Sequence, residues 1–262
     1  MTMNPQGLPQ TLLSRIEDAG INASAPPQQR WVDGWLLRFS PGKAKRARCV
    51  QAVAAGRLPL AERLALCQAV FQSANLPMVV RITPFSQPPG LDCALALLGY
   101  RSLDDTLVMV GQLGAVPATP LPASVQLQAQ APADFAQTVG ALRGSPAGQR
   151  TAQAQRLLAS PVPYQGWVLR RASDRHILAC GQTAIEADMV GLYDVFTDPA
   201  ARGQGLARLL CSQLLVAAQA AGARVAYLQV EADNAPARAV YHRLGLADAY
   251  AYHYRTPDAN AH

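Results

Sequence analysis

The sequence predicts an α/β protein built in two halves. Three observations lead there. Helix-like and strand-like patterns alternate along the whole chain, an uncharged stretch rich in Pro and Ala divides it, and a glycine-rich strand-to-helix turn stands in the second half. The dividing stretch, Gly111 to Ala123, carries three prolines and reads as a linker. We expect one domain over residues 1–111, a linker over 112–123 and a second domain over 124–262.

In the first half, Leu12 to Ala19 reads as a helix, and Trp31 to Phe39 as a strand or hairpin with a turn at Asp33-Gly34. Leu60 to Ala74 is an amphipathic helix, because Leu60, Leu64, Cys67 and Phe71 recur on one stripe. A short apolar strand at Met78 to Thr83, a helix from Leu91 to Leu98 closed by Gly99, and a strand at Thr106 to Val110 follow. The second half opens with a strand at Val125 to Gln130 and helices at Pro132 to Leu142 and Gln149 to Ala159. Trp167 to Arg171, Ile177 to Ile185 and Met189 to Thr197 read as three successive strands. Leu206 to Ala221 is a helix with Leu206, Leu209, Leu210, Leu214 and Ala217 on one face, stopped by Gly222. A strand at Val225 to Glu231, a helix at Ala235 to Leu244 stopped by Gly245, and a strand at Tyr250 to Tyr254 complete the pattern. Leu98-Gly99-Tyr100 and Leu244-Gly245-Leu246, each ahead of a strand, form a faint internal echo.

Half the residues are hydrophobic and 15% are charged, which places the chain among globular proteins and away from disordered ones. The net charge of +6 is scattered, with one local knot at Lys43, Lys45, Arg46 and Arg48. Such a charge suits an anionic small ligand as well as nucleic acid, and no aromatic-plus-basic motif supports nucleic acid, so none is expected as a partner. The five cysteines have no C-x-x-C spacing and an odd total, so we expect buried reduced thiols and no disulfide framework. His176, His242, His253 and His262 show no ligand spacing with them, so no metal site is expected. No apolar run reaches the roughly 18 residues of a membrane span, and the N-terminus lacks a signal peptide pattern. A cytoplasmic protein is expected, and a homo-oligomer is left open.

The informative segment runs from Asp194 to Arg208. A strand ends near Thr197, and Arg202-Gly203-Gln204-Gly205-Leu206-Ala207 opens the long helix. Glycines let the backbone come close to a ligand, and the first helical turn offers free N–H groups at the positive end of the dipole. Arg202 and Arg208 add charge at the edges, so the loop suits a pyrophosphate. It is neither a Walker loop nor a dinucleotide fingerprint, since the Gly-Lys-Ser/Thr and G-x-G-x-x-G spacings are missing.

Arg202-x-x-Gly205-x-Ala207 resembles the acyl-CoA-binding motif Q/R-x-x-G-x-G/A of the GNAT superfamily of N-acetyltransferases. Downstream, Asn234, Ala237, Tyr241 and Gly245 match that family's N-x-x-A-x-x-x-Y-x-x-x-G-F, with Leu246 in place of Phe. The segment Trp31-Val-Asp-Gly-Trp-Leu-Leu-Arg-Phe-Ser resembles, more loosely, the N-terminal region of two-part bacterial GNAT proteins with a degenerate first half. The resemblance implies a GNAT fold, a mixed central sheet flanked by helices, in tandem. It implies acetyl-CoA as donor, bound through the strand end at Val195, Phe196 and Thr197 and through Arg202, Gly203, Gln204, Gly205, Leu206, Ala207 and Arg208. Asn234 is a good N-cap and, in the family, commonly reaches the pantetheine as well. Tyr241 falls where relatives place the general acid for the leaving thiolate; otherwise it packs its helix on the sheet.

Many relatives carry a Glu on the fourth strand, where this chain has Gly191. Asp194, Tyr193, Glu186 and Asp188 are the nearby candidates for a proton acceptor, or a water chain serves; Asp194 is the residue named for the role. The expected reaction is direct attack of a primary amine, on a small molecule or peptide, on the thioester. The alternative is an acyl-CoA-binding sensor without turnover. Tyr250, Tyr252 and Tyr254 form a packed sheet face or line an acceptor cleft. The knot from Lys43 to Arg48 is a solvated turn, or it reaches the 3′-phosphate of CoA or an acidic acceptor.

Overall fold

A computed structural model describes residues 7–39, 44–115 and 119–258. Lys43, His262, the first residues of the N-terminal tail and residues 116–118 of the expected linker lie outside them. In chain order the elements are α1 (Gln10–Ala23), β1 (Gln29–Val32), β2 (Trp35–Arg38), β3 (Val50–Gln51), α2 (Leu60–Ser73), β4 (Val80–Ile82), α3 (Leu91–Leu97) and β5 (Arg101–Gln112). Then come β6 (Val125–Gln130), α4 (Pro132–Leu142), α5 (Ala147–Leu158), β7 (Tyr164–Arg171), β8 (Ile177–Glu186) and β9 (Met189–Thr197). The chain closes with α6 (Leu206–Ala220), β10 (Val225–Glu231), α7 (Ala235–Arg243) and β11 (Ala247–Thr256).

Each segment read as helix or strand forms, and β3 is an addition. Two strands run beyond their apolar centres. The outer part of β5, Arg101 to Asp105, is polar and mostly exposed. Pairing holds that stretch in place, because β11 runs beside it from Thr256↔Arg101 to Ala247↔Val110.

The strands form one sheet in the order β1-β2-β3-β4-β11-β5-β10-β9-β8-β7-β6. The two middle positions carry the topology. β5, the last strand before the proline stretch, adds to β10 of the second half, while β11, the last strand of the chain, adds to β4 of the first. The echoing Leu-Gly pairs thus precede two strands that have changed places and pair antiparallel with each other. Gly99 and Gly245, with φ of +82° and +84°, make the left-handed residue that ends α3 and α7 and turns the chain into these strands.

Four apolar clusters among the described residues hold the helices, and Phe135 and Val139 of α4 pack on Val168 and Cys180 in one of them. On α6, Leu210, Leu214 and Leu215 pack on Val190 and Leu192 of β9 and Ala226 and Leu228 of β10. On α1, Ile16 and Ala19 lie in the layer with Val108, Val110, Tyr227 and Tyr250. On α2, Cys67 and Phe71 pack with Trp35, Val50 and Val80. Four cysteines are buried as expected, but Cys93 is exposed on α3, where the apolar stripe is carried by Leu91 and Leu95 instead. Among the described residues no helix is long and apolar enough to cross a membrane.

Among the described residues only β3–β4 and β9–β10 pair in parallel. The β9–β10 register runs from Met189↔Val225 to Leu192↔Leu228 and stops there, so the ends of the two strands splay. The splay has a local cause. Opposite β8, Cys180 faces Phe196 but Gln182 faces Tyr193, so two residues, Asp194 and Val195, stand against Gly181 alone. This is a β-bulge, and Asp194 takes φ +49°, a left-handed conformation that Asp tolerates better than most residues.

Candidate active site

The glycine turn sits beyond the splayed end of β9. Asp198 begins it: Oδ1 accepts the N–H of Ala200 at 3.0 Å, capping a short 3₁₀ turn, and Oδ2 meets His176 Nε2 at 2.6 Å. Gly203 and Gly205 have φ of +77° and +75°, and a Cβ built on either meets nothing within 4 Å. The turn is therefore open on its outer side. The first helical bond after it is Leu209 N–H to Gly205 O at 3.0 Å. The amides from Gly203 to Arg208 have no intramolecular acceptor among the described residues. They are the orphan donors of a helix N-terminus, at its positive end. Arg202 and Arg208 are exposed at the rim, and Arg202 lies 5.8 Å from the ring centre of Phe196, which Arg143 approaches from 5.6 Å. Leu206 is turned into the core, with Ala207 half-buried beside it.

The bulge residue is held from three sides. Asp194 Oδ1 pairs with Arg143 Nη1 at 2.7 Å, and Oδ2 accepts from Gln153 Nε2 at 2.9 Å and Gln182 Nε2 at 2.8 Å. α4, α5 and β8 thus converge on the residue before Val195. None of these three donors was legible in the sequence, since each stands in an element read only for its period. The other proton-acceptor candidates are engaged elsewhere: Asp188 pairs with Arg15, and Glu186 accepts from Asn22 Nδ2 at 2.9 Å.

At the start of α7, Asn234 Oδ1 accepts the N–H of Ala237 at 3.2 Å, so the expected N-cap is formed. Tyr241, two turns along, packs in the same apolar layer as Cys211 of α6. Its hydroxyl takes no partner among the described residues and is not sealed from solvent. Burial pushes its phenol above the usual value, which keeps it protonated across the neutral range.

The departure at Gly191 has a steric reason. A Cβ there would stand 2.5 Å from Tyr193 Cε2, 2.7 Å from Tyr227 Cζ and 2.8 Å from Tyr227 Oη. Two buried tyrosines, hydrogen-bonded to each other at 2.9 Å, fill the space that a strand side chain would need. Desolvation pushes both phenols up, so neither is a base near neutral pH.

The first half has a counterpart of the glycine turn ahead of α2, and it is filled. Asp33, at the β1–β2 turn, accepts the N–H groups of Arg57 and Leu58 at 2.9 Å and pairs with Arg63 Nε at 2.9 Å. Those backbone bonds, first from Leu58 and then from Arg57, hold its carboxyl below the usual range. A carboxylate of the chain itself therefore takes the amides of the turn just ahead of this helix. The basic knot is no plain solvated turn either. Lys45 pairs with Asp104, and Arg46 Nη1 turns inward to Tyr252 Oη at 3.2 Å.

A parallel strand pair splayed by a bulge, beside an open glycine turn with unclaimed amides, agrees with the GNAT fold expected from the sequence. The family model described as "Probable histone acetyltransferase Rv0428c C-terminal" matches residues 13–255, and the chain belongs to that family. It is 32% identical over 178 residues to a mycothiol acetyltransferase of Actinosynnema mirum, a match that covers 64% of this chain and 60% of that protein's length. Among solved structures, a GCN5-related N-acetyltransferase from Kribbella flavida superposes with a TM-score of 0.67 at 17% identity, covering 94% of this chain and 96% of the other. A tandem GNAT protein from the clavulanic acid biosynthesis pathway superposes with a TM-score of 0.60 at 15% identity, covering 76% and 70%. These likenesses agree with the tandem fold expected from the sequence.

Proposed function

We propose that this acyltransferase moves an acetyl group from acetyl-CoA to a primary amine of a small molecule or peptide. The observation that carries the proposal is the end of the β9–β10 register at Leu192↔Leu228, immediately before the bulge and beside the unclaimed amides of residues 203–208. In this reading the amides from Gly203 to Arg208 receive the pyrophosphate, with Arg202 and Arg208 at its flanks. The freed backbone of Val195, Phe196 and Thr197 hydrogen-bonds the pantetheine arm, and Asn234 completes that channel from the start of α7. The likeness to a mycothiol acetyltransferase supports acetyl transfer and leaves this chain's acceptor open.

The amine lone pair attacks the thioester carbonyl, the C–S bond breaks, and the thiolate takes the proton of the Tyr241 hydroxyl. Both carboxylate oxygens of Asp194 already accept hydrogen bonds, so taking a proton there would break one of them. We therefore assign Asp194 to holding the bulge and aiming the amide of Val195. With Gly191 in place of a strand carboxylate, the attacking amine sheds its proton to solvent. The test is release of CoA thiol from acetyl-CoA over a broad amine panel. Thiol release that depends on the amine, rising with pH toward the amine's own pKa, supports the reading. Bound acetyl-CoA without thiol release on any amine would overturn it.

A further inference from the structure

On the face of the sheet that α1 covers, around β4 and β11, three guanidinium groups stand against one carboxylate. Arg81 pairs with Glu17 through both nitrogens, lies 3.8 Å over the ring of Tyr252, and shares Glu17 with Tyr250 Oη at 2.7 Å. That carboxylate is fully used. Arg38, 1% exposed, donates to Ser24 Oγ at 3.2 Å, and burial lowers its pKa to about 10. Arg46 is the third. Its Nη1 donates to Tyr252 Oη, its Nε is enclosed without a partner, and its Nη2 takes no protein partner yet keeps contact with solvent. No carboxylate lies within ion-pair distance of Arg46 among the described residues.

The titratable groups facing Arg46 are Tyr252, Tyr254, Tyr193 and the buried thiol of Cys49, which donates to Arg46 O at 3.6 Å, with Tyr227 and Tyr164 in its field beyond them. Tyr193 and Tyr227 are the pair that abuts Gly191, at the root of the splay. A half-buried cation without an anion is costly, and through Tyr252 Arg46 belongs to the tyrosine layer on the face opposite the donor helix. Of the two charges that Glu17 leaves uncompensated, that of Arg38 is sealed at 1% exposure, so only the charge of Arg46 is within reach of a ligand. One reachable charge matches a carboxylate, which carries one, better than a phosphate monoester, which carries nearly two at neutral pH.

We propose that Arg46 binds the carboxylate of the acceptor, so that the acceptor is an amine that also carries a carboxylate, an amino acid or a peptide with a free C-terminus. Tyr252 positions Arg46, and the first half thereby contributes to acceptor selection. The proposal rests on the acetyl-transfer reading above.

The experiment compares glycine, β-alanine, larger L-amino acids and Gly-Gly, each beside its amide, as acceptors for the full chain. The acids are expected to have at least about tenfold higher kcat/KM than their amides in one or more pairs. Arg46→Gln is expected to erase that preference through KM, leaving acetyl-CoA affinity and thermal unfolding unchanged, and Arg46→Lys restores part of it. Equal use of acids and amides, an unchanged preference in Arg46→Gln, or a preference for O-phosphoethanolamine over every carboxylate would overturn the proposal. A second arm needs no turnover: calorimetric binding of the N-acetyl acids beside the N-acetyl amides. Tighter binding of an N-acetyl acid, lost in Arg46→Gln, supports Arg46, and equal binding overturns it. Failure of the donor reading looks different, since acetyl-CoA itself then does not bind.

Discussion

Replacing Gly191 with Ala probes why this chain lacks the strand carboxylate of its relatives. The added Cβ would lie 2.5 to 2.8 Å from Tyr193 and Tyr227 atoms, where carbon contacts settle at about 3.5–4.0 Å. Both rings are buried, at 8% and 2% exposure, so they cannot swing into solvent. Overpacking of this kind costs about 1–3 kcal/mol. If the rings part, an orphaned buried hydroxyl adds about 1–3 kcal/mol more. At about 2–4 °C per kcal/mol for a chain of this size, the first contribution alone lowers Tm by roughly 2–12 °C. Gly181→Ala is the control on the neighbouring strand, where a Cβ meets Leu210 and Val195 at 3.4 Å and Leu214 at 3.5 Å, ordinary contact distances. Its Tm should stay within about 2 °C of the parent. Thermal unfolding followed by circular dichroism, with urea titration beside it, reads both variants. Equal Tm for the two would refute the steric account, and a Gly191→Glu variant that folds and gains turnover would refute it more strongly.

Tyr241→Phe should lower kcat by about 100-fold or more with acetyl-CoA affinity and Tm nearly unchanged, because its hydroxyl leaves no protein partner behind; an unchanged kcat assigns the residue to packing. Asp194→Asn ends the ion pair with the partly exposed Arg143, worth at most about 1 kcal/mol, so acetyl-CoA affinity should fall by roughly fivefold while kcat on bound donor holds. The opposite split, read by steady-state kinetics with calorimetry, would make Asp194 the proton acceptor. Asp33 has a lowered carboxyl pKa, so its stabilisation is complete above the ordinary value of about 3.9 and is lost as pH falls through the lowered one. The stability difference between the parent and Asp33→Asn should thus be constant from neutral pH to about pH 5 and close in stronger acid. A gap that does not vary with pH would show that the amide bonds of Arg57 and Leu58 are not what holds Asp33.

The helices and strands were legible because most carry their period and their stop in the sequence. The Leu206 to Ala217 stripe ended by Gly222 gives α6 within one residue, and β10 is apolar on both faces as an interior strand should be. The glycine turn and the Asn234 cap were legible for the same reason, since backbone needs alone select Gly and Asn there. Strand exchange was not legible. β5 and β11 have similar apolar faces, and nothing in either says which half it joins. The bulge at Asp194, the Asp33 plug and the inward turn of Arg46 depend on partners distant in the chain, so no local pattern announces them. Arg46 sits 206 positions from Tyr252, and Asp194 is 51 from Arg143.

Among the described residues one open anion cradle stands beside a splayed strand pair. Calorimetric titration of acetyl-CoA into the protein and into an Arg202→Glu, Gly205→Glu double variant of verified fold probes it. Saturable binding of one acetyl-CoA per chain is expected, because Asp33 fills the corresponding place ahead of α2, with loss of that binding in the variant. No binding to the folded parent, two molecules per chain, or undiminished binding in the variant would contradict the single cradle.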